Sequence, residues 1–209
     1  MTEPTRPASP DALDTLLAGQ PVMAILRHLG PEDTVRLATT AWDLGIQLVE
    51  VPIQTPDAVP SLEAALAAGR ERGRGVGAGT VISVEQVELA ARLGVTFTVA
   101  PGLDVDVVAA SQQHSVPHVP GVATASEIQS ALRAGCRWLK AFPATVLGTS
   151  WFGAMVKGPF PGLKLVATGG IDAGNARSYL EAGASLVAVG SALEDPEQLP
   201  RLAELIRPA

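Results

Sequence analysis

Short apolar runs rich in Val, Ile, Leu and Ala recur along this chain, and the stretches between them place apolar residues at helical spacing. Residues 22–26, 46–51, 75–81, 95–100, 116–119, 137–142, 163–167 and 185–189 read as strands. Residues 10–18 predict a short leading helix. Further helices are predicted over 31–44, 55–69, 83–93, 104–113, 124–134, 148–157, 173–181 and 196–206. Local punctuation supports several of them. Pro31 opens a helix with Glu32 and Asp33 in its first turn, and Thr55-Pro56-Asp57 has the order of a cap followed by a proline. Ser83-Val84-Glu85-Gln86 and Thr124-Ala125-Ser126-Glu127 read as capping boxes, and Gly94 and Gly135 mark helix ends.

Strand and helix therefore alternate through eight units, which implies a parallel sheet. Eight units close most economically into an α/β fold of the (β/α)8 TIM-barrel type. The other arrangement is an open, doubly wound sheet, but no G-x-G-x-x-G follows the first strand. Residues 1–9, rich in proline, are expected to form a flexible arm, and residues 10–209 a single barrel domain.

Composition narrows the function classes. Hydrophobic residues make up 47% and charged ones 17%, below the usual share of about 25% charged, so much surface is expected to be buried. The formal charge of −6, with basic residues clustered only at 70–74, argues against nucleic-acid binding. The one cysteine, Cys136, excludes an intrachain disulfide and a cysteine-based metal cage, and reads as a small buried residue. No apolar run reaches the ~18 residues of a membrane span. The first ten residues lack the apolar core of a signal peptide, so a cytoplasmic enzyme or binding protein is expected. His28, His114 and His118 lack metal-ligand spacing and read as surface or loop residues, His28 lying beside Arg27 at a potential site mouth. No Asp/Glu set suggests a divalent cation, so neither metal nor cofactor is expected. Trp42, Trp138 and Trp151 read as core or interface residues.

The chemistry concentrates around Lys140. In extended chain Trp138, Lys140 and Phe142 share one face, with Leu139 and Ala141 on the other. An ammonium among aromatics is costly unless its pKa falls, and a neutral amine is what imine formation with a carbonyl needs. The alternative is a lysine whose stem packs while its head reaches water. Barrel sites lie at the C-terminal ends of strands. Those ends here carry Arg27, Glu50 followed by Pro52 and Gln54, Thr80, Pro101-Gly102, Lys140, Thr168-Gly169-Gly170 and Gly190-Ser191. Glu50 and Lys140 fall on opposite even-numbered strands, whose inward residues share a layer. They form either a proton-transfer partner and nucleophile or a buried structural ion pair. The glycine turns after the seventh and eighth strands occupy the usual place of a barrel phosphate site.

With these residues assembled, the chain resembles the 2-keto-3-deoxy-6-phosphogluconate (KDPG) aldolase family, class I aldolases on a (β/α)8 barrel. The resemblance runs from Pro21 to about Leu193. It rests on Ala24-Ile25-Leu26-Arg27, Val49-Glu50-Val51-Pro52, Gly77-Ala78-Gly79-Thr80-Val81, Ala100-Pro101-Gly102 and Pro120-Gly121-Val122-Ala123-Thr124, then on Leu139-Lys140-Ala141-Phe142-Pro143, Thr168-Gly169-Gly170-Ile171 and Gly190-Ser191. By that resemblance Lys140 is the Schiff-base lysine and Glu50 the general acid/base, acting through water. Thr80, Pro101 and Phe142 would line the pyruvate pocket. Thr168, Gly169, Gly170, Gly190 and Ser191 would hold the substrate phosphate, and Arg27 an anionic substrate group. The family's typical homotrimer and lack of a metal are implied likewise.

One position departs from the gluconate-type pattern. The family arginine that follows the glutamate by four residues and grips the substrate carboxylate is here Gln54, so the bidentate charge-assisted contact is lost. Galactonate-type relatives carry an amide there, which leans the substrate toward that epimer and shifts carboxylate binding to Arg27. The expected reaction is cleavage of a 2-keto-3-deoxy-6-phospho sugar acid to pyruvate and glyceraldehyde 3-phosphate. Alternatives are an aldolase for 4-hydroxy-2-oxoglutarate or another 2-keto acid, a phosphosugar isomerase, and a non-catalytic barrel that binds a phosphorylated metabolite.

Overall fold

A computed structural model of the protein describes residues 11–206, so the arm expected over residues 1–9 lies outside the described residues. Among the described residues, nine parallel strands form one sheet. They are β1 (Val22–Ile25), β2 (Leu48–Pro52), β3 (Val76–Gly79), β4 (Thr98–Val99), β5 (His118–Val119), β6 (Gly121–Val122), β7 (Trp138–Ala141), β8 (Lys164–Thr168) and β9 (Leu186–Val189). The hydrogen-bonded order runs β5-β4-β3-β2-β1-β9-β8-β7-β6. Its two ends are a single residue apart in sequence. The expected fifth strand, 116–119, forms only as β5, which pairs with β4; Pro120, with no N–H to donate, separates it from β6, a half-strand beyond the expected bounds that pairs with β7. The Pro120 carbonyl still accepts from the Lys140 N–H at 2.8 Å, so the sheet closes through this residue. The fold is an eight-stranded TIM barrel with its fifth strand in two halves.

The helices are α1 (Asp11–Leu17), α2 (Pro31–Leu44), α3 (Val59–Glu71), α4 (Val84–Leu93), α5 (Val105–Gln113), α6 (Ala125–Arg133), α7 (Ala144–Leu147), α8 (Thr149–Lys157), α9 (Ala176–Ala182) and α10 (Leu199–Ile206). Several differ from the sequence pattern for local reasons. The helix expected from residue 55 begins as a 3-10 turn, Pro56–Ala58, and becomes α-helical only at Val59, with Pro60 in its first turn. Thr124 and Glu127 form a reciprocal capping box. At Ser83 only half of one exists, because the Gln86 side chain accepts from the Ile82 N–H at 2.7 Å instead. The helix expected over 148–157 is preceded by a separate short one, α7, from which Gly148 separates it at φ 76°. The turn Asp172–Asn175 delays α9 to Ala176.

Strand alternation builds two cores. Val49 and Val51 of β2 and Leu139 and Ala141 of β7 face outward, where they pack with apolar residues of the helices. Leu48 of β2, Trp138 of β7, Met23, Phe97, Val166 and Leu186 fill the barrel interior. Leu13 and Leu17 of α1 join that interior cluster, so α1 plugs the N-terminal end of the barrel. The Trp138 Nε1–H donates to Asp14 Oδ1 at 2.7 Å and fixes the plug. Each such leucine, fully buried, contributes about 1.5–3 kcal/mol. No helix among the described residues is long and apolar enough to cross a membrane.

His118 departs from the surface or loop role read from sequence. It is 7% exposed, its ring hydrogen-bonds Thr98 Oγ1 at 2.9 Å, and burial lowers its pKa from 6.5 to about 4. Cys136 is buried as expected, and burial pushes its thiol up to about 11.

Candidate active site

The interior changes character toward the C-terminal ends of the strands. Above Leu48 and Trp138, the next inward residues on their strands are Glu50 and Lys140. Glu50 is 0% and Lys140 2% exposed. In register Glu50 lies beside Ile25 and Gly77, and Lys140 between Gly121 and Val166, on opposite sides of the barrel. Glycine at position 79 is what admits the carboxylate, since a Cβ there would overlap Glu50 Oε1. Gly77 gives the same room to the Phe97 ring. These glycines are a functional signal that the strand pattern alone passes over.

Among the described residues the two charged ends form no direct ion pair, and neither Glu50 oxygen has a hydrogen-bond partner. They nonetheless influence each other. Burial holds the Lys140 ammonium below its ordinary pKa; the Glu50 carboxylate works against this, and the Arg27 guanidinium adds to it. Burial also holds the Glu50 carboxyl above its ordinary pKa, opposed first by Lys140 and then by Arg27. Both groups are therefore driven toward neutral forms, an amine and a carboxylic acid. The Phe142 ring centroid lies 5.2 Å from Lys140 Nζ, as the shared-face pattern predicts.

At the C-terminal ends of the strands opens a cavity of about 630 Å³; Phe142, whose ring lies against Lys140, lines it, whereas Glu50 and Lys140 themselves do not. Arg27, Phe142, Thr168, Gly169, Gly170, Gly190 and Ser191 line it, so seven of the predicted site residues come together. Thr168 is 2% exposed and its Oγ1 has no hydrogen-bond partner among the described residues. Gly169 and Gly170 take φ values of 99° and 76°, and a Cβ at Gly169 would press the Phe142 ring at 3.1 Å. Hydrogen bonds brace the loop that holds them. The Thr145 N–H donates to the Gly169 carbonyl at 3.2 Å, and Asn175 Nδ2 donates to the Gly170 carbonyl at 2.9 Å. Asp172 Oδ1 in turn accepts from the backbone of Gly174 and Asn175 at 2.7 and 3.0 Å.

Five predicted residues lie outside this lining: Glu50 and Lys140, buried inside the barrel, and Thr80, Pro101 and Gln54. Thr80 follows β3 and Pro101 lies between β4 and α5, and neither lines this cavity. Thr80 sits at φ 57°, a left-handed conformation rare for a β-branched residue, and such strain concentrates at functional sites. Gln54 lines a neighbouring cavity of about 310 Å³ between the loops after β1 and β2. Sequence reasoning missed Ile25 and Ala188, whose inward strand positions could have shown them, and Asp172 and Glu194, for which the pattern holds no signal. Among the described residues no group of three His, Cys, Asp or Glu could hold a metal ion.

The family model described as KDPG and KHG aldolase matches residues 13–205. The chain belongs to this aldolase family. It is accordingly an aldehyde-lyase. Among its relatives is a probable 2-dehydro-3-deoxy-6-phosphogalactonate aldolase of Rhizobium meliloti (strain 1021), 34% identical over 85% of this chain and 83% of the relative. A 2-dehydro-3-deoxy-phosphogluconate aldolase of Treponema pallidum (strain Nichols) is 39% identical over 71% of this chain and 70% of its own. Among solved structures, the KDPG aldolase of Legionella pneumophila, with pyruvate captured at low pH as a covalent carbinolamine intermediate, superposes with a TM-score of 0.80. It shares 30% identity and covers 95% of this chain and 97% of that one. The family thus includes both gluconate-type and galactonate-type enzymes at comparable distance from this chain.

Proposed function

We propose that the protein is a class I aldolase that cleaves a 2-keto-3-deoxy-6-phospho sugar acid, of gluconate or galactonate type, to pyruvate and glyceraldehyde 3-phosphate through a Schiff base on Lys140. The observation that carries this reading is a lysine 2% exposed inside the barrel, its ammonium disfavoured by burial, with a fully buried glutamate in electrostatic reach. A neutral amine is a nucleophile, and a carboxyl group whose pKa burial raises binds a proton more readily than an exposed one and can act as a general base and acid. That the Legionella relative holds pyruvate as a carbinolamine supports an amine as the attacking group here.

In this reading the neutral Lys140 Nζ adds to the C2 carbonyl, and the carbinolamine loses water to give an iminium. Glu50, through a water molecule, takes the proton of the C4 hydroxyl. The C3–C4 electron pair flows into the iminium, the aldehyde departs, and an enamine remains. Protonation at C3 restores the iminium, and water releases pyruvate and free lysine. Arg27, at the rim and in electrostatic reach of both buried groups, binds an anionic group of the substrate in place of the arginine absent at Gln54. By family resemblance Thr80 and Pro101, outside the main cavity's lining, would border the pyruvate end, and Phe142 covers the amine. The Thr168-Gly169-Gly170 and Gly190-Ser191 turns hold the phosphate through backbone N–H groups and hydroxyls. By family resemblance the active assembly is a homotrimer.

The test is turnover. Purified protein is incubated with each synthetic epimer of the phosphorylated acid, and pyruvate release is followed by a coupled assay. Release from at least one epimer, lost in Lys140→Met, is the expected result. Release that persists in Lys140→Met would contradict the Schiff-base reading.

A further inference from the structure

The aldolase chemistry leaves the side chain of His28 unused, yet the structure holds it in an unusual place. His28 lies just beyond β1 with its backbone at φ 58°, a conformation that suits glycine and is unfavourable for a residue with a Cβ. Such positions persist where the surroundings over-determine them, often at a binding site. His28 lines two cavities at once. One is the main cavity with the glycine turns; the other is the side cavity that Gln54 also lines.

Gln54 Nε2 lies 3.4 Å from His28 Nδ1. Assigning this contact as an amide N–H donating to Nδ1 places the ring proton on Nε2. The ring therefore offers an N–H from the edge opposite Gln54. Depth assigns the part of the substrate it meets. Lys140 is buried within the barrel, whereas His28 is exposed at the rim. A keto acid joined through C2 to Lys140 would hold its pyruvate carbons at the buried amine and extend the remainder toward the main cavity that Phe142 and Thr168 line.

We propose that His28 is a specificity-determining residue of the aldolase site, its Nε2–H donating to an oxygen of the aldehyde half of the substrate, with Gln54 as the positioning residue that holds the ring toward the main cavity. Without Gln54 the side cavity gives the ring room to turn away. The inference rests on the aldolase reading and adds to it the residue that reads the departing half.

The test uses the full chain and the variants His28→Gly, Gln54→Leu and their combination. Glycine suits φ 58°, so His28→Gly keeps or raises the thermal midpoint of the wild type. Borohydride trapping of pyruvate on Lys140 reports the deep half alone and is expected to stay at the wild-type level in all three. For the phosphorylated six-carbon substrates, kcat/KM is expected to fall about tenfold or more in His28→Gly, the loss of one substrate hydrogen bond. Gln54→Leu falls less, and the double variant matches His28→Gly because nothing remains for Gln54 to hold. Wild-type kcat/KM in His28→Gly, losses that multiply in the double variant, or an equal loss of pyruvate trapping would overturn the inference. Absence of a pyruvate adduct in the wild type would instead overturn the aldolase reading beneath it.

Discussion

Two titratable side chains sit buried in the same barrel sheet, and burial disfavours the charge on each, but their surroundings differ. His118, on β5 toward the end plugged by α1, meets a neutral hydroxyl, Thr98 Oγ1, and beside it is a cavity of only about 60 Å³. Lys140, toward the open end, is in reach of the charges of Glu50 and Arg27, and the Phe142 ring beside it lines a cavity of about 630 Å³. Burial alone is thus a property of the fold. What marks a candidate reactive position is burial together with charged groups in reach and an adjoining cavity.

The sharpest way to break this comparison is to remove the amine. Lys140→Met keeps the side chain's bulk and is expected to lower kcat by about 10⁴-fold or more, measured as pyruvate release. The same assay on His118→Gln is expected to give wild-type kcat. Next in size is Glu50→Gln, which keeps the shape but cannot carry the proton. A fall in kcat of about 10²–10⁴-fold is expected, while pyruvate remains trappable on Lys140. Loss of trapping as well would show that Glu50 only positions or neutralises the lysine.

At the closed end the expected currency is stability. Leu17 is 1% exposed in the interior cluster, so Leu17→Ala is expected to cost about 2–5 kcal/mol in chemical denaturation with kcat per folded molecule unchanged. The smallest effect is the pH dependence that His118 imposes. Its folded pKa of about 4 lies below the ordinary 6.5, so between these values the unfolded chain binds a proton that the native ring does not. Stability from this group is complete above pH 6.5 and is lost as pH falls toward 4, by about 3 kcal/mol at most. Denaturation curves across that range are expected to flatten in His118→Gln.

The sequence made the open end more legible than the closed one. Lys140 and Glu50 can be paired from the chain alone because strand alternation and barrel layering are rigid geometric rules, and a charge in an apolar run breaks the local pattern visibly. The glycine turns are readable for the same reason. Closure through Pro120 is not, because a proline between two half-strands looks the same as a proline ending one strand. Nor is the burial of His118, whose neighbour Pro117 and flanking apolar residues fit a loop and a strand equally well. Gln86 accepts from Ile82 and its Nε2 donates to the Ile53 carbonyl at 3.0 Å, a tertiary contact that local spacing does not carry. Gln54 shows the remaining gap: its place in the chain marks a lost arginine, but only the fold turns it toward His28.

The central claim is that Lys140 is the covalent nucleophile. Borohydride reduction of the full-length protein with pyruvate at neutral pH, followed by intact and peptide mass analysis, tests it most directly. The account predicts one stable pyruvate-derived adduct per chain, on the peptide containing Lys140. A folded protein that forms no adduct, or carries it on another lysine, would contradict it.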